Sequence, residues 1–177
     1  MLKIVAEVIE SMNTQMERIE KCLNSLTYEQ IWTRLQPNMN SIGNLCVHLA
    51  GNEHQHFISG IGQKPLVRQR TLEFTAQGGY TKEELINLLR SVRTESIKEL
   101  ERIGEADLNN NVTVYYSLED WNTMKNRKEE EKEPYYTRQI LTSLFQVAEH
   151  YGYHTGQIVI FTKLLNPSTV SFSGYRH

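Results

Sequence analysis

His150 and His154 stand four apart in the stretch Glu149-His150-Tyr151-Gly152-Tyr153-His154-Thr155-Gly156-Gln157. On a helix, side chains at that spacing stack on one face, one turn above the other. Two imidazoles so placed can grip one metal ion. Ile140, Val147, Ile158, Phe161 and Leu165 fall on the same face. The pair therefore points inward, where an unpartnered polar ring is costly. Gln157 shares the face and can orient a ligand or bond across the helix interface. Glu149 points about 100° away from His150 and reads as surface. The plain alternative is a buried pair satisfied by ordinary hydrogen bonds.

A third imidazole is available elsewhere. Asn44, His48, Asn52 and Gln55 form a polar line within about 80° on another helical segment, with Leu45 and Leu49 beside His48. His48 is the natural partner of the pair, since facing helices of a bundle place metal ligands in the core. Asn44 and Asn52 are candidates to hydrogen-bond around it, with interhelical structural bonds the alternative. Three neutral imidazoles leave open positions at an ion, which can activate a water or a thiol there. His54 and His56 are competitors near the helix end, where exposure is expected. His56 lies two turns after His48 but drifts about 80° away on an α-helical wheel. His177 falls in a tail and is expected to be exposed.

The elements that must carry these residues follow from apolar periodicity. Val5, Val8, Ile9, Met12, Met16, Ile19, Leu23 and Leu26 mark one stripe on a helix over residues 2–26. Thr27 and Gln30 make a capping box for a short helix, which Pro37 ends. Ser41 caps a largely apolar helix over residues 42–59. Residues 66–79 read as a long loop, a candidate to cross the bundle or help form a site. Thr81-Lys82-Glu83-Glu84 is a capping box opening a helix that runs to about Ile103. Val112 to Tyr116 has strand composition and is expected to pair with Pro134-Tyr135-Tyr136 as a small hairpin. The charge run over residues 125–133 reads as a solvated loop. Thr137 caps the last helix. Four long amphipathic helices give an all-α four-helix bundle with long crossover connections. A single domain over residues 1–166 is expected, with a tail over 167–177.

Composition excludes several classes. The chain has 177 residues and a formal net charge of −2, so charge gives no reason to expect nucleic acid. No apolar run approaches the ~20 residues of a membrane span, and the N-terminus lacks the marks of a signal peptide. Its two cysteines, Cys22 and Cys46, make no disulfide framework. A reduced, cytoplasmic protein is expected. There is no phosphate-binding glycine loop, no nucleophile elbow and no His-Glu-x-x-His. Paired Glu-x-x-His helices, which would mark a di-iron bundle, are absent too.

The last-helix run from His150-Tyr151-Gly152-Tyr153-His154 to Thr155-Gly156-Gln157-Ile158 resembles the corresponding motif of the DinB-like, DNA-damage-inducible four-helix bundle family. Asn40-Ser41-Ile42-Gly43-Asn44-Leu45, with His48-Leu49 and Gly51-Asn52, resembles the second-helix motif of one branch of it. The resemblance implies a divalent metal (zinc, nickel or iron) held by His48, His150 and His154, with water in the remaining positions. It implies a bundle with a long crossover, a homodimer and a small-molecule substrate. Relatives transfer low-molecular-weight thiols such as mycothiol or bacillithiol, and others are isomerases or hydrolases. The expected function is thus a metal-dependent enzyme with thiol S-transferase-like or hydrolase-like chemistry. The electrophile would enter past Arg68, Arg70 or the Val112 region. The alternatives are a non-catalytic, stress-related metal-binding dimer and a structural bundle whose histidines are satisfied core groups.

Overall fold

The structure is a computed structural model that describes residues 1–125 and 134–168. In chain order the elements are α1 (Lys3–Asn24), α2 (Tyr28–Trp32), α3 (Ile42–Glu53), a π-helical segment (His54–Ile61) continuing α3, α4 (Arg70–Thr75), α5 (Lys82–Leu100), a 3-10 turn (Glu105–Asp107), β1 (Asn111–Tyr115), α6 (Leu118–Lys125), β2 (Tyr135–Gln139) and α7 (Ile140–Leu165). The all-α bundle is formed by α1, α3, α5 and α7. Helix α1 packs on α7 and α5, and α3 packs on the same two. Consecutive helices α1 and α3 therefore sit diagonally, as do α5 and α7. The connections through α2 and through the hairpin cross the bundle, whereas the one after α3 joins neighbours.

The apolar stripes read from sequence make the core. Val5, Met12, Ile19 and Leu23 of α1 are buried with Ile42, Leu45 and Leu49 of α3, Leu85 and Leu89 of α5, and Leu144, Val147 and Ile158 of α7. Phe161 and Leu165 are only partly buried, packed at the core's edge. Capping boxes form at Thr27, Ser41 and Thr81, each with its third residue answering. No helix among the described residues is long and apolar enough to cross a membrane.

Inside this apolar core lies one ionic network that draws on all four long helices. Arg93 of α5 donates to both carboxylate oxygens of Glu53 of α3, at 2.7 and 3.1 Å. Its remaining nitrogen donates to Asn13 of α1 at 2.8 Å. Tyr151 of α7 donates its phenol proton to Glu53 at 2.6 Å. Burial and the adjacent carboxylate push the Tyr151 phenol up, which keeps it a donor. A buried charge needs such complete partnering, and its partners fix register as well as energy.

Four sequence expectations are corrected. The loop over residues 66–79 contains α4. That helix is too short to show periodicity, and its cap comes from elsewhere in the chain: the Asp120 carboxylate accepts from the backbone N–H groups of Arg70 and Thr71 at 3.1 and 2.9 Å. A second helix, α6, lies between the two strands. The hairpin forms, but it runs from Tyr115 opposite Tyr135 to Asn111 opposite Gln139. Thr137 thus lies within β2, paired with Thr113, and does not cap α7. The first free N–H groups of α7 go instead to loop carbonyls, Ile140 to Asn110 and Leu141 to Leu108, both at 3.0 Å. Finally, α3 ends at Glu53 and continues as a π-helix, while α5 stops at Leu100. The charge run after Lys125, and the tail with His177, lie outside the described residues.

Candidate metal centre

Helices α3 and α7 bring His48, His150 and His154 together. One ring nitrogen from each lies within 4.8 Å of the others. The ring centroids are 4.8 Å apart for His48 and His150, 5.1 Å for His48 and His154, and 4.4 Å for His150 and His154. Tyr151, fully buried between the two α7 histidines in sequence, locks the rotation of α7 through Glu53 and so aims both rings at α3.

The outward nitrogens of two of the rings are occupied. His48 Nδ1 lies 2.9 Å from Glu73 Oε2. Burial raises the Glu73 pKa, but hydrogen bonds from Arg68 and His48 outweigh it and hold the carboxyl below its usual range. An ionised carboxylate only accepts, so Nδ1 carries the proton and Nε2 is left free to face the centre. Arg68 stands 3.2 Å from the same nitrogen. A guanidinium only donates, so this is a contact between two donors that share the Glu73 carboxylate. His154 Nδ1 in turn lies 2.7 Å from Gln157 Oε1, which accepts its proton and leaves Nε2 free. His150 Nε2 is buried with no hydrogen-bond partner.

These three observations test whether a metal fits. Ligating histidines give their second N–H to a carboxylate or carbonyl, which fixes the tautomer and raises the basicity of the other nitrogen. Glu73 and Gln157 do this for His48 and His154. The orphaned nitrogen of His150 completes a neutral three-nitrogen donor set, and the residues present can hold a divalent ion. Desolvation lowers the pKa of His48, His150 and His154, with His150 brought down to about 3 by burial and the neighbouring imidazoles. The rings are accordingly neutral, as ligands must be.

Glu73 and its partner were absent from the sequence reading as supports of His48. Arg68, expected at a pocket mouth, is instead clamped, its side chain 4% exposed. It donates to the two Glu73 oxygens at 2.6 and 2.7 Å and also to Gln55. Gly51, one turn from His48, makes the approach of Glu73 possible. A Cβ there would fall 2.1 Å from Glu73 Oε1 and 2.9 Å from Arg68 Nε. The only sequence signal was Gly51 itself, a helix-interior glycine that costs stability and so has a packing reason.

The remaining candidates are placed as follows. Gln157 touches His154. Asn44 is buried and serves the Ser41 capping box, and its amide donates to the Glu73 and Ala76 carbonyls at 3.0 and 2.8 Å. It thus pins the segment that carries Glu73 and acts on His48 at one remove. Asn52 contributes its backbone carbonyl, which accepts from His56 Nδ1 at 2.8 Å. His56 is not exposed, as expected from its place near the helix end, but 1% exposed. The π-helical segment takes more residues per turn than an α-helix. This rotates His56 back toward the face of His48, where its Nε2 accepts from the Tyr136 hydroxyl at 2.7 Å.

Two cavities flank the centre. One of about 790 Å³ lies between the π-helical segment and β1, lined among others by Lys64, Arg68, Val112, Thr113 and Tyr116. The other, about 870 Å³, lies under α4 and includes Val47, Gly51, His54, Leu72 and Glu73. Neither is lined by the three histidines themselves. Arg68 lines both, so each reaches the cluster through the residue that steadies Glu73.

Two consequences are measurable. Glu73→Gln and Gly51→Ala, the first weakening the His48 support and the second displacing it, should each lower divalent-metal affinity about 10–100-fold without removing a ligand. Competition with a chromophoric chelator reads this directly, and unchanged affinity in both variants would remove Glu73 from the site. The second concerns pH. The histidines have folded pKa values below the ordinary 6.5, with His56 at about 4 and His150 at about 3. Between those values and 6.5 the unfolded chain binds protons that the fold does not. Metal-free stability is therefore full above about pH 6.5 and falls as pH drops below it. Urea midpoints at pH 7 and pH 5 should differ in that sense, and equal midpoints would mean the rings are not desolvated.

With this geometry in hand, similarity to known proteins can be placed. The family described as "Protein of unknown function (DUF1572)" matches residues 2–127. Among curated proteins none matches. A conserved protein from Enterococcus faecalis is similar in structure, with a TM-score of 0.64, 16% identity and coverage of 95% of this chain and 100% of that one. A DinB-like protein from Bacillus cereus ATCC 10987 is similar with a TM-score of 0.62, 16% identity and 89% of each chain covered. At that identity the likeness carries the fold.

Proposed function

This chain belongs to the DUF1572 family, and from that premise and its site we propose a metal-dependent enzyme acting on a small molecule. His48, His150 and His154 hold one divalent ion, with zinc, nickel or iron all compatible with an imidazole donor set. The observation that carries the reading is the buried, unpartnered Nε2 of His150 beside two imidazoles whose other nitrogens are already committed. When bound, such an ion is a Lewis acid that lets a water or a thiol ionise near neutral pH. The chain's own groups prepare that step. Glu73 fixes the tautomer of His48, and Arg68 neutralises Glu73. Gln157 orients His154, and desolvation keeps all three rings unprotonated.

The reaction class is thiol S-transfer or hydrolysis. Metal-loaded and chelated protein, run in parallel through thiol-conjugation and ester or amide hydrolysis screens, test it. Turnover that vanishes on chelation and in His150→Ala supports the proposal. A full complement of metal with no turnover supports the second reading, a non-catalytic, stress-related metal-binding dimer. One observation favours a dimer under either reading. Phe145, Tyr153, Ile160 and Leu164 are exposed on α7 and fall within about 100° on its outer face, an apolar surface that a second copy would cover.

A further inference from the structure

The carboxylate that steadies His48 belongs to a different segment from His48 itself. Glu73 lies on α4, and Arg68 precedes that helix in the same connection. Arg68 donates to both Glu73 oxygens, from Nε at 2.6 Å and from Nη2 at 2.7 Å. Because both partners stand on one short stretch of chain, their ion pair moves with that stretch. The pair cannot by itself hold Glu73 against His48.

Side chains on the helical rod that carries His48 supply the ties. Asn44 of α3 donates to the Glu73 and Ala76 carbonyls and so fixes the Glu73 main chain. Gln55, in the π-helical continuation of α3, accepts from Arg68 Nη1. The Gln55 amide is held from its other end, since its Nε2 donates to the Tyr115 carbonyl of β1. It can stand only one way round, because a guanidinium only donates and a backbone carbonyl only accepts. Gln55 is 2% exposed, so the amide has little water to turn to.

Every nitrogen of the Arg68 guanidinium is then engaged, Nε and Nη2 by Glu73 and Nη1 by Gln55. A planar fork held along two edges cannot pivot with its carboxylate partner. Glu73 Oε2 is thereby kept 2.9 Å from His48 Nδ1. One continuous line of hydrogen bonds runs from the Tyr115 carbonyl through Gln55, Arg68 and Glu73 to His48. Gly51, between His48 and Gln55 in sequence, leaves the gap in which the Arg68–Glu73 pair meets α3.

We propose that Gln55 is a positioning residue for the metal centre: it fixes the Arg68 guanidinium, which holds Glu73 on His48 Nδ1 and so keeps His48 Nε2 directed at the centre. In treating His48 as a ligand the proposal rests on the metal-enzyme reading. The hold of Gln55 on Arg68 needs no metal. The plain alternative is a staple between β1 and the bundle, which would make Gln55 matter to stability alone.

The test is a double-mutant cycle on the full chain, with zinc titrated against a chromophoric chelator. Gln55→Met removes both amide bonds at similar volume and should weaken zinc binding about tenfold. In a Glu73→Gln background the same substitution should change affinity less than about twofold, because the residue it acts through is already impaired. Effects that multiply in full overturn the proposal, as does a Gln55→Met protein within about twofold of wild type. Gln55→Glu keeps an acceptor for Arg68 but, when ionised, loses the donor to Tyr115. It should bind zinc no more weakly than wild type, and it reports even if Gln55→Met fails to fold. A Gln55→Glu loss of about tenfold would make the strand contact the one that matters and overturn the proposal. Exchange of the Arg68 Nε–H with water, followed by NMR in metal-free protein, is the readout independent of metal. It should quicken about tenfold in Gln55→Met and stay near wild type in Gln55→Glu. Wild-type protein that binds no zinc would sink the enzyme reading. The exchange rates then decide Gln55 alone, and exchange unchanged in Gln55→Met overturns its role.

Discussion

His150→Ala should empty the metal centre. Purified wild-type protein is expected to hold about one divalent ion per chain, and the variant less than about a tenth of that. The substitution takes one nitrogen from a set of three, and the two that remain make a poor site. It should not unfold the protein, because His150 is only half-buried and its Nε2 has no hydrogen-bond partner to lose. Metal at about 1,000 times its dissociation constant adds roughly 4 kcal/mol of stability. For a chain of this size that is a rise in Tm of about 10 °C, present in wild type and absent in the variant. Elemental analysis and thermal melts with and without chelator read both effects. Bound metal that is unchanged in His150→Ala would place the ion elsewhere and return the three histidines to the structural core.

The second large effect lies outside the centre. Glu53→Ala should cost about 3–5 kcal/mol, because it strands Arg93 as a buried charge with no counter-ion. The Tm should fall by about 10 °C. Replacing the pair together, Glu53→Leu with Arg93→Met, should cost much less, since neither charge is then left alone. Denaturant unfolding followed by circular dichroism separates the two variants. A loss under about 1 kcal/mol in Glu53→Ala would mean that water reaches Arg93 and that the network does not organise the bundle. The network also bears on the metal. Tyr151 reaches Glu53 from between His150 and His154 in sequence, so a variant that folds without Glu53 should bind metal more weakly than wild type.

This network shows where a sequence reading stops. Arg93 and Glu53 sit on buried faces that are largely apolar, and periodicity alone treats charged residues as solvent-facing. Their burial depends on a partner on another helix, and the pairing partner is 40 residues away. Helix α4 teaches the same lesson for secondary structure, since its N-terminal cap is a carboxylate 49 and 50 residues downstream. Local signals that close within three or four residues were legible where no distant segment competes for them. The caps read at Thr27, Ser41 and Thr81 all form, each as a capping box. The cap read at Thr137 does not, because strand pairing with Thr113 claims that residue first.

The centre divides along the same line. Spacing placed His150 and His154 on one inward face, and apolar flanks placed His48 inside another helix. Those statements depend on helical periodicity, which is a property of consecutive residues. What supports the histidines was invisible, because Glu73 reaches His48 from a segment 25 residues away and only through the gap left by Gly51. The exposure of His56 was misjudged for a related reason. A wheel assumes an α-helix that ends in solvent, and the π-helical segment that begins two residues before His56 carries it into the core, where it bonds Tyr136. The sequence by itself determined four amphipathic helices and three inward imidazoles, because both follow from side-chain spacing along a regular backbone. Only the tertiary structure decided which ring nitrogens are already committed and which carboxylates answer Arg68 and Arg93. Hydrogen bonds and ion pairs between distant segments settle those questions, and no local pattern encodes them.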